Sequence, residues 1–170
     1  MARRVFYSFH YQRDSVRVAQ IKNMGVIEGQ PILNSNEWED VAKGGDKAIK
    51  AWIDEQMKGK SCNVVLIGNK TAGREWVEYE FKKAWGDGKG VLGIYIHRLK
   101  DFSGNTDTKG KNPFAGFTIK DRNGNKIAFD TVVPVFDPSG TTSKAVYDSI
   151  KNNIATWVED AIAIRDTWPK

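Results

Sequence analysis

Cys62-Asn63-Val64-Val65-Leu66-Ile67-Gly68 holds a continuous apolar run, Val-Val-Leu-Ile, of the kind that belongs to a central parallel strand covered on both faces. Downstream, a helix is expected from about Arg74 to Trp85, then a second central strand, Val91 to His97. Upstream, Ile49, Trp52, Ile53 and Met57 fall at helical spacing in a helix from about Asp46 to Lys58, with Gly59 as its stop. Strands and helices alternating in this way predict a three-layer α/β fold of flavodoxin-like type with a mainly parallel sheet.

The rest of the chain extends this pattern. Val5 to Phe9 reads as a buried first strand opening into Tyr11-Gln12-Arg13-Asp14-Ser15, which starts a helix carrying Val16, Ala19 and Ile21 and ending at Asn23 to Gly25. Val26 to Leu33 leaves room for a short strand, and Asn34 to Gly45, poor in apolar residues and closed by a Gly pair, reads as a long loop. Phe117 to Phe129 alternates about Asn123-Gly124 as an inserted hairpin with a tight turn. Val132 to Phe136 is expected as the last strand and Ser143 to Asp166 as the last helix, while the Gly, Asn and Lys content of Phe102 to Asn112 suggests a mobile loop.

With 170 residues, 40% of them hydrophobic, residues 1–170 are expected to form a single domain with a core that needs neither disulfides nor a structural metal. Cys62 is alone, and two His with one Cys cannot supply an ordinary zinc site, so no metal and a reducing cytoplasm are expected. No apolar run is long enough for a membrane span, and none at the start resembles a signal peptide. The net charge of +5 is spread among interleaved acids, which gives nucleic-acid binding little support while suiting a small phosphorylated ligand.

Common nucleotide motifs are missing. Gly86, Gly88 and Gly90 follow a helix and precede a strand, the reverse of the order in which a phosphate rests on a helix N-terminus. Gly68-Asn69-Lys70-Thr71 follows a strand but lacks the upstream Gly of a phosphate loop. A phosphoacceptor domain would place acids after the first strand, where this chain has Ser8-Phe9-His10-Tyr11.

One helix carries the functional signal. On a helical wheel Trp76, Val77, Phe81, Ala84 and Trp85 occupy one half, and Glu80 falls inside that half. A carboxylate in an apolar arc is costly unless paired, hydrogen-bonded or set at a cavity, so Glu80 is either an edge residue bridged to a lysine or a site residue. The helix follows a central strand, so its start lies beside the carboxyl edge of the sheet, where open α/β folds bind ligands and where Ser8 to Tyr11 also arrive.

Val5-Phe6-Tyr7-Ser8-Phe9 resembles the first strand of TIR domains, and Trp76-Val77-Glu78-Tyr79-Glu80-Phe81 resembles their Trp-x-x-x-Glu helix. Together with Gly45-Asp46, Ala48-Ile49, Trp52-Ile53, Val64 to Gly68, Ile96 to Asp101 and Asn112-Pro113-Phe114, the ordered set is similar to the TIR-like ThsB proteins of bacterial Thoeris anti-phage systems, over about residues 3 to 160. The resemblance implies an NAD glycohydrolase or ADP-ribosyl cyclase with Glu80 as catalytic residue and with Ser8, Phe9, His10, Tyr11, Asp46, Asn69 and Trp76 at the substrate. NAD would be the substrate, with no further cofactor. It also implies self-association on activation, a phage-derived trigger, and a downstream effector that senses a cyclic ADP-ribose-type product. The chain departs from several TIR enzymes after its first strand, where His10 and Tyr11 replace basic residues. The competing expectation is a non-enzymatic TIR-like module that binds proteins or nucleotides, in which Glu80 is paired and inert. Cys62, Trp52, Trp157 and Trp168 read as packing residues.

Overall fold

The protein is described over residues 2–169 of a computed structural model. In chain order its strands are β1 (Arg4–Ser8), β2 (Glu28–Gly29), β3 (Cys62–Ile67), β4 (Gly90–Tyr95), β5 (Thr118–Lys120), β6 (Lys126–Ala128) and β7 (Val135–Phe136). The helices are α1 (Tyr11–Lys22), α2 (Ser35–Ala42), α3 (Gly45–Met57), α4 (Glu75–Gly86) and α5 (Ser143–Asp166). Five strands form one parallel sheet in the order β2-β1-β3-β4-β7, the flavodoxin-like arrangement expected, while β5 and β6 form a separate antiparallel hairpin. Every residue of β3 is buried, which is why its sequence shows no alternation.

Two cores lie on opposite faces of the sheet. Val5 and Tyr7 of β1, with Val64 and Leu66 of β3, meet Val18 and Ile21 of α1 and the Val146, Ile150, Ile154 and Val158 ridge of α5. On the other face Phe6, Val65 and Ile67 pack against Ile49, Ile53 and Met57 of α3 and against Val77, Phe81 and Ala84 of α4. The parity of β1 therefore turns Phe6 and Ser8 toward α3 and α4, and this places Ser8 beneath the helix that carries Glu80. Among the described residues no helix is long and apolar enough to cross a membrane.

Four expectations need correction. Asn34 to Gly45 is no loop: α2 occupies Ser35–Ala42, with the Asn34 side chain accepting from the Glu37 N–H at 2.9 Å and donating to the Glu37 carboxylate at 2.9 Å. The last strand is reduced to Val135–Phe136, because Phe129–Thr131 forms a 3-10 turn and the Val133 N–H is used on the Phe129 carbonyl. The hairpin connection is five residues, Asp121 to Asn125, organised by the Asp121 carboxylate accepting from the Asn123 and Asn125 N–H groups. Phe102 to Asn112 has no helix or strand but is tied down: Arg13 pairs with Asp107 at 2.8 Å, and Arg17 donates to the Asn105 carbonyl at 3.0 Å.

Candidate active site

β1 and β3 are the neighbours from which the strand order runs in opposite directions, and at their carboxyl ends the fold opens a cavity of about 730 Å³. Its walls come from three directions. The end of β1 and start of α1 supply Phe9, His10 and Tyr11; the segment Gln30 to Leu33 with α2 supplies Trp38 and Glu39; and the start of α4 supplies Arg74, Trp76 and Glu80.

Glu80 lies at the inner end of this space, 8% exposed. Burial pushes its carboxyl up to about 8, with the Ser8 hydroxyl opposing the shift in part. Ser8 is fully buried and its Oγ accepts from Asn63 Nδ2 at 2.8 Å, which leaves the hydroxyl proton to be directed at the carboxylate. Asn63 is itself fixed by donating to the Phe6 carbonyl at 3.0 Å. No lysine or arginine is paired with Glu80 among the described residues, so the inert bridged arrangement is not the one adopted.

A row of rings forms the cavity wall. Phe9 stacks on Tyr11 and Tyr11 on Trp38, both with centroids 6.1 Å apart, and Trp38 meets Trp52 edge to face, also at 6.1 Å. The Tyr11 hydroxyl donates to the Leu33 carbonyl, fixing the ring against the Gln30 to Leu33 segment. His10 caps α1 by accepting the Arg13 N–H on Nδ1 at 3.2 Å, and burial followed by the nearby Arg74 guanidinium holds it below its ordinary value, hence neutral.

The remaining expected residues are placed elsewhere. Ser8 sits behind Glu80 and does not line the cavity. Asp46 is exposed in the first turn of α3, and Asn69 donates to the Thr108 carbonyl at 3.2 Å and to its hydroxyl. Trp52 lines the cavity as well as packing on Phe6. Trp38, Gln30 and Arg74 also line the cavity and are not expected there from sequence; for Trp38, as for Glu39 beside it, the signal is the Asn34-x-x-Glu37 capping pattern ahead of it. Among the described residues no group of three His, Cys, Asp or Glu side chains gathers where a metal could sit.

Gln30 has a distinct structural task. β2 pairs with β1 only at Arg4↔Glu28 and Val5↔Gly29, and Gly29 lies so close to the Tyr7 ring that a Cβ there would be 2.2 Å from it. Beyond that point the Gln30 amide replaces a strand: Oε1 accepts from the Tyr7 N–H and Nε2 donates to the Tyr7 carbonyl, both at 2.8 Å. The backbone is thereby released from the sheet and becomes cavity wall from Pro31 onward. Gln30→Leu strands both Tyr7 peptide groups in the interior and is expected to cost about 2 to 4 kcal/mol in chemical denaturation. A loss below about 0.5 kcal/mol would mean that the edge is satisfied in another way.

Comparison with known proteins gives two findings. The family described as "Thoeris protein ThsB, TIR-like domain" matches residues 6–101, a span that contains every residue lining the cavity. A Bacillus cereus (strain MSX-D12) protein, to which the name cyclic ADP-D-ribose synthase ThsB1 has been given provisionally, is 40% identical over 120 residues, covering 67% of this chain and 62% of that protein. The chain thus spans about 62% of the length of the curated relative it matches.

Proposed function

Since the chain belongs to the TIR-like domain family of the Thoeris protein ThsB, we propose that it breaks the bond between nicotinamide and ribose in NAD and closes the remaining ADP-ribose into a cyclic signal. The observation that carries this reading is Glu80: a buried carboxylate without a cationic partner, at the inner end of an aromatic cavity on the sheet's carboxyl edge. The name of the Bacillus cereus relative supports the cyclic product.

The chemistry follows from the charge. As the C–N bond lengthens, its electron pair leaves with nicotinamide and positive charge builds on the ribose carbon, where a carboxylate stabilises it. Free Glu80, pushed up to about 8, is largely protonated at neutral pH. The cationic pyridinium of arriving NAD favours the ionised form, so binding of substrate and loss of the Glu80 proton reinforce each other. An internal nucleophile of the ADP-ribose then attacks the same carbon, and its proton passes to the Glu80 carboxylate, which returns to its protonated resting form. In the same reading the protein is activated by self-association after a phage-derived trigger, and a separate effector senses the cyclic product.

Incubating the protein with NAD, alone and under activating conditions, and assaying free nicotinamide tests the reaction itself. Release that depends on Glu80 is expected, and none under either condition would exclude the enzyme. The product tests the closure. A held internal nucleophile can reach an effective concentration of about 10⁵ M or more, far above roughly 55 M for water, provided that the ligand is folded. Phe9, Tyr11 and Trp76 are the rings expected to impose that fold. Their replacement by Ala should shift product from cyclic to linear ADP-ribose before nicotinamide release fails. Mass spectrometry separates the two by one water, and linear product from the unaltered enzyme would refute cyclisation.

A further inference from the structure

We propose that Arg74 and the open first turn of α4 form the seat for the diphosphate of a dinucleotide, an assignment of one half of the ligand that rests on the NAD reading above. The cavity lining carries the exposed carboxylates of Glu39 and Glu75 against a single guanidinium, that of Arg74, while His10 beside it is neutral and Glu80 holds its proton until NAD arrives. Without Arg74 the lining would repel a doubly charged diphosphate; with it, the negative groups of the ligand have one place to go.

Arg74 is free for that task. Arg13 is used on Asp107 and Arg17 on Asp14, whereas Arg74 is exposed and makes no ion pair among the described residues. Its position adds peptide groups to the guanidinium. Arg74 is the N-cap of α4 and no side chain caps the helix, so the N–H groups of Glu75, Trp76 and Val77 precede the first helical bond, from the Glu78 N–H to the Arg74 carbonyl at 3.0 Å. Residues 73–77 all line the cavity, so those donors open beside it.

Glu80 is the second, independent pointer to a ligand in the same space. It is nine-tenths buried, unpaired by any cation, and borders the same cavity. Glu80 lies six positions along the chain from Arg74, about 9 Å of axial rise. A ribose and its 5′ carbon lie between the diphosphate and the nicotinamide bond of NAD, and both Arg74 and Glu80 line the cavity that would hold them. A dinucleotide laid along α4 then has its diphosphate at the helix start and its scissile bond at Glu80. A planar guanidinium suits this better than a lysine, because it grips phosphate oxygens in pairs.

Tryptophan fluorescence, with Trp38, Trp52 and Trp76 in the walls, can follow the binding of ADP-ribose and of adenosine without any turnover. ADP-ribose is expected to bind at least about tenfold more tightly than adenosine, with an affinity that falls as salt rises. Arg74→Ala should erase that preference while leaving adenosine binding unchanged, and Arg74→Lys should restore it in part. Glu80→Gln should retain it. Equal affinity of the unaltered protein for the two probes, binding of neither, or an Arg74→Ala variant that keeps the preference would overturn the diphosphate seat. Intact preference in a protein that never releases nicotinamide would instead sink the enzyme reading and leave the seat standing.

Discussion

Glu80→Gln is expected to stop nicotinamide release and, at the same time, to make the protein harder to unfold. Losing one well-placed electrostatic group costs on the order of a hundredfold or more in rate, and the amide keeps the shape while removing the charge. The gain in stability comes from the proton. Burial raises the Glu80 carboxyl from an ordinary 4.5 to about 8, so between these values the unfolded chain releases a proton that the folded protein retains. Stability contributed by this group is therefore present at low pH, falls as pH rises from 4.5 to about 8, and is lost above that. The full loss is about 5 kcal/mol at most. Gln has no such proton, so the variant should melt above the wild type at pH 8, with the gap closing toward pH 4. The wild-type kcat/KM should rise through about 8, the value of the free enzyme, while kcat should level off at lower pH because bound NAD has already drawn the proton away. Near wild-type turnover in Glu80→Gln, or a melting gap that ignores pH, would contradict the assignment.

Arg17→Met is expected to be strongly destabilising although Arg17 does not line the cavity. Arg17 and Asp14 form a buried ion pair at 3.1 Å, and the same guanidinium donates to the Leu99 carbonyl at 2.8 Å. Asp14 Oδ2 has no hydrogen-bond partner and lies against Gly68, where an added Cβ would come within 2.1 Å of it. Burial already raises the Asp14 carboxyl against the pull of Arg17, so removing Arg17 leaves an uncompensated charge, a loss of about 3 to 5 kcal/mol. Protonating Asp14 relieves it, so the loss should shrink as pH falls. Replacing both, Asp14→Leu with Arg17→Met, should recover most of the stability. A double variant no better than the single one in chemical denaturation would show that Arg17 acts through its carbonyl contacts instead. Because α1 begins with Tyr11 and is capped by His10, loosening this pair should also disturb the cavity wall.

What the sequence revealed and what it hid have separate physical causes. β3 and β4 were legible because central strands must be apolar on both faces, and Glu80 because a helical wheel exposes a carboxylate among buried neighbours. Both signals are local. α2 gave no such pattern: it has no described residue that is fully buried, and only Trp38, Val41 and Ala42 pack against the core. Its capping pair was the one available sign. The Gln30 to Leu33 wall was illegible for another reason, since it is set by bonds from Gln30 to Tyr7 and from Tyr11 to Leu33, each more than twenty residues apart in sequence. Composition suggested a mobile Phe102 to Asn112, yet the ties from Arg13 and Arg17 that hold it cannot be read from composition.

The sheet ends on both sides in a strand of only two residues, β2 and β7. A long flat edge is a template on which another chain can lay a strand and from which fibrils grow, whereas two residues offer too few peptide groups to hold one. At β2 the Gln30 amide goes further, occupying the next peptide of β1 that an invading strand would need. The device that shapes the cavity wall therefore also blunts this edge of the sheet as a template for another chain's strand.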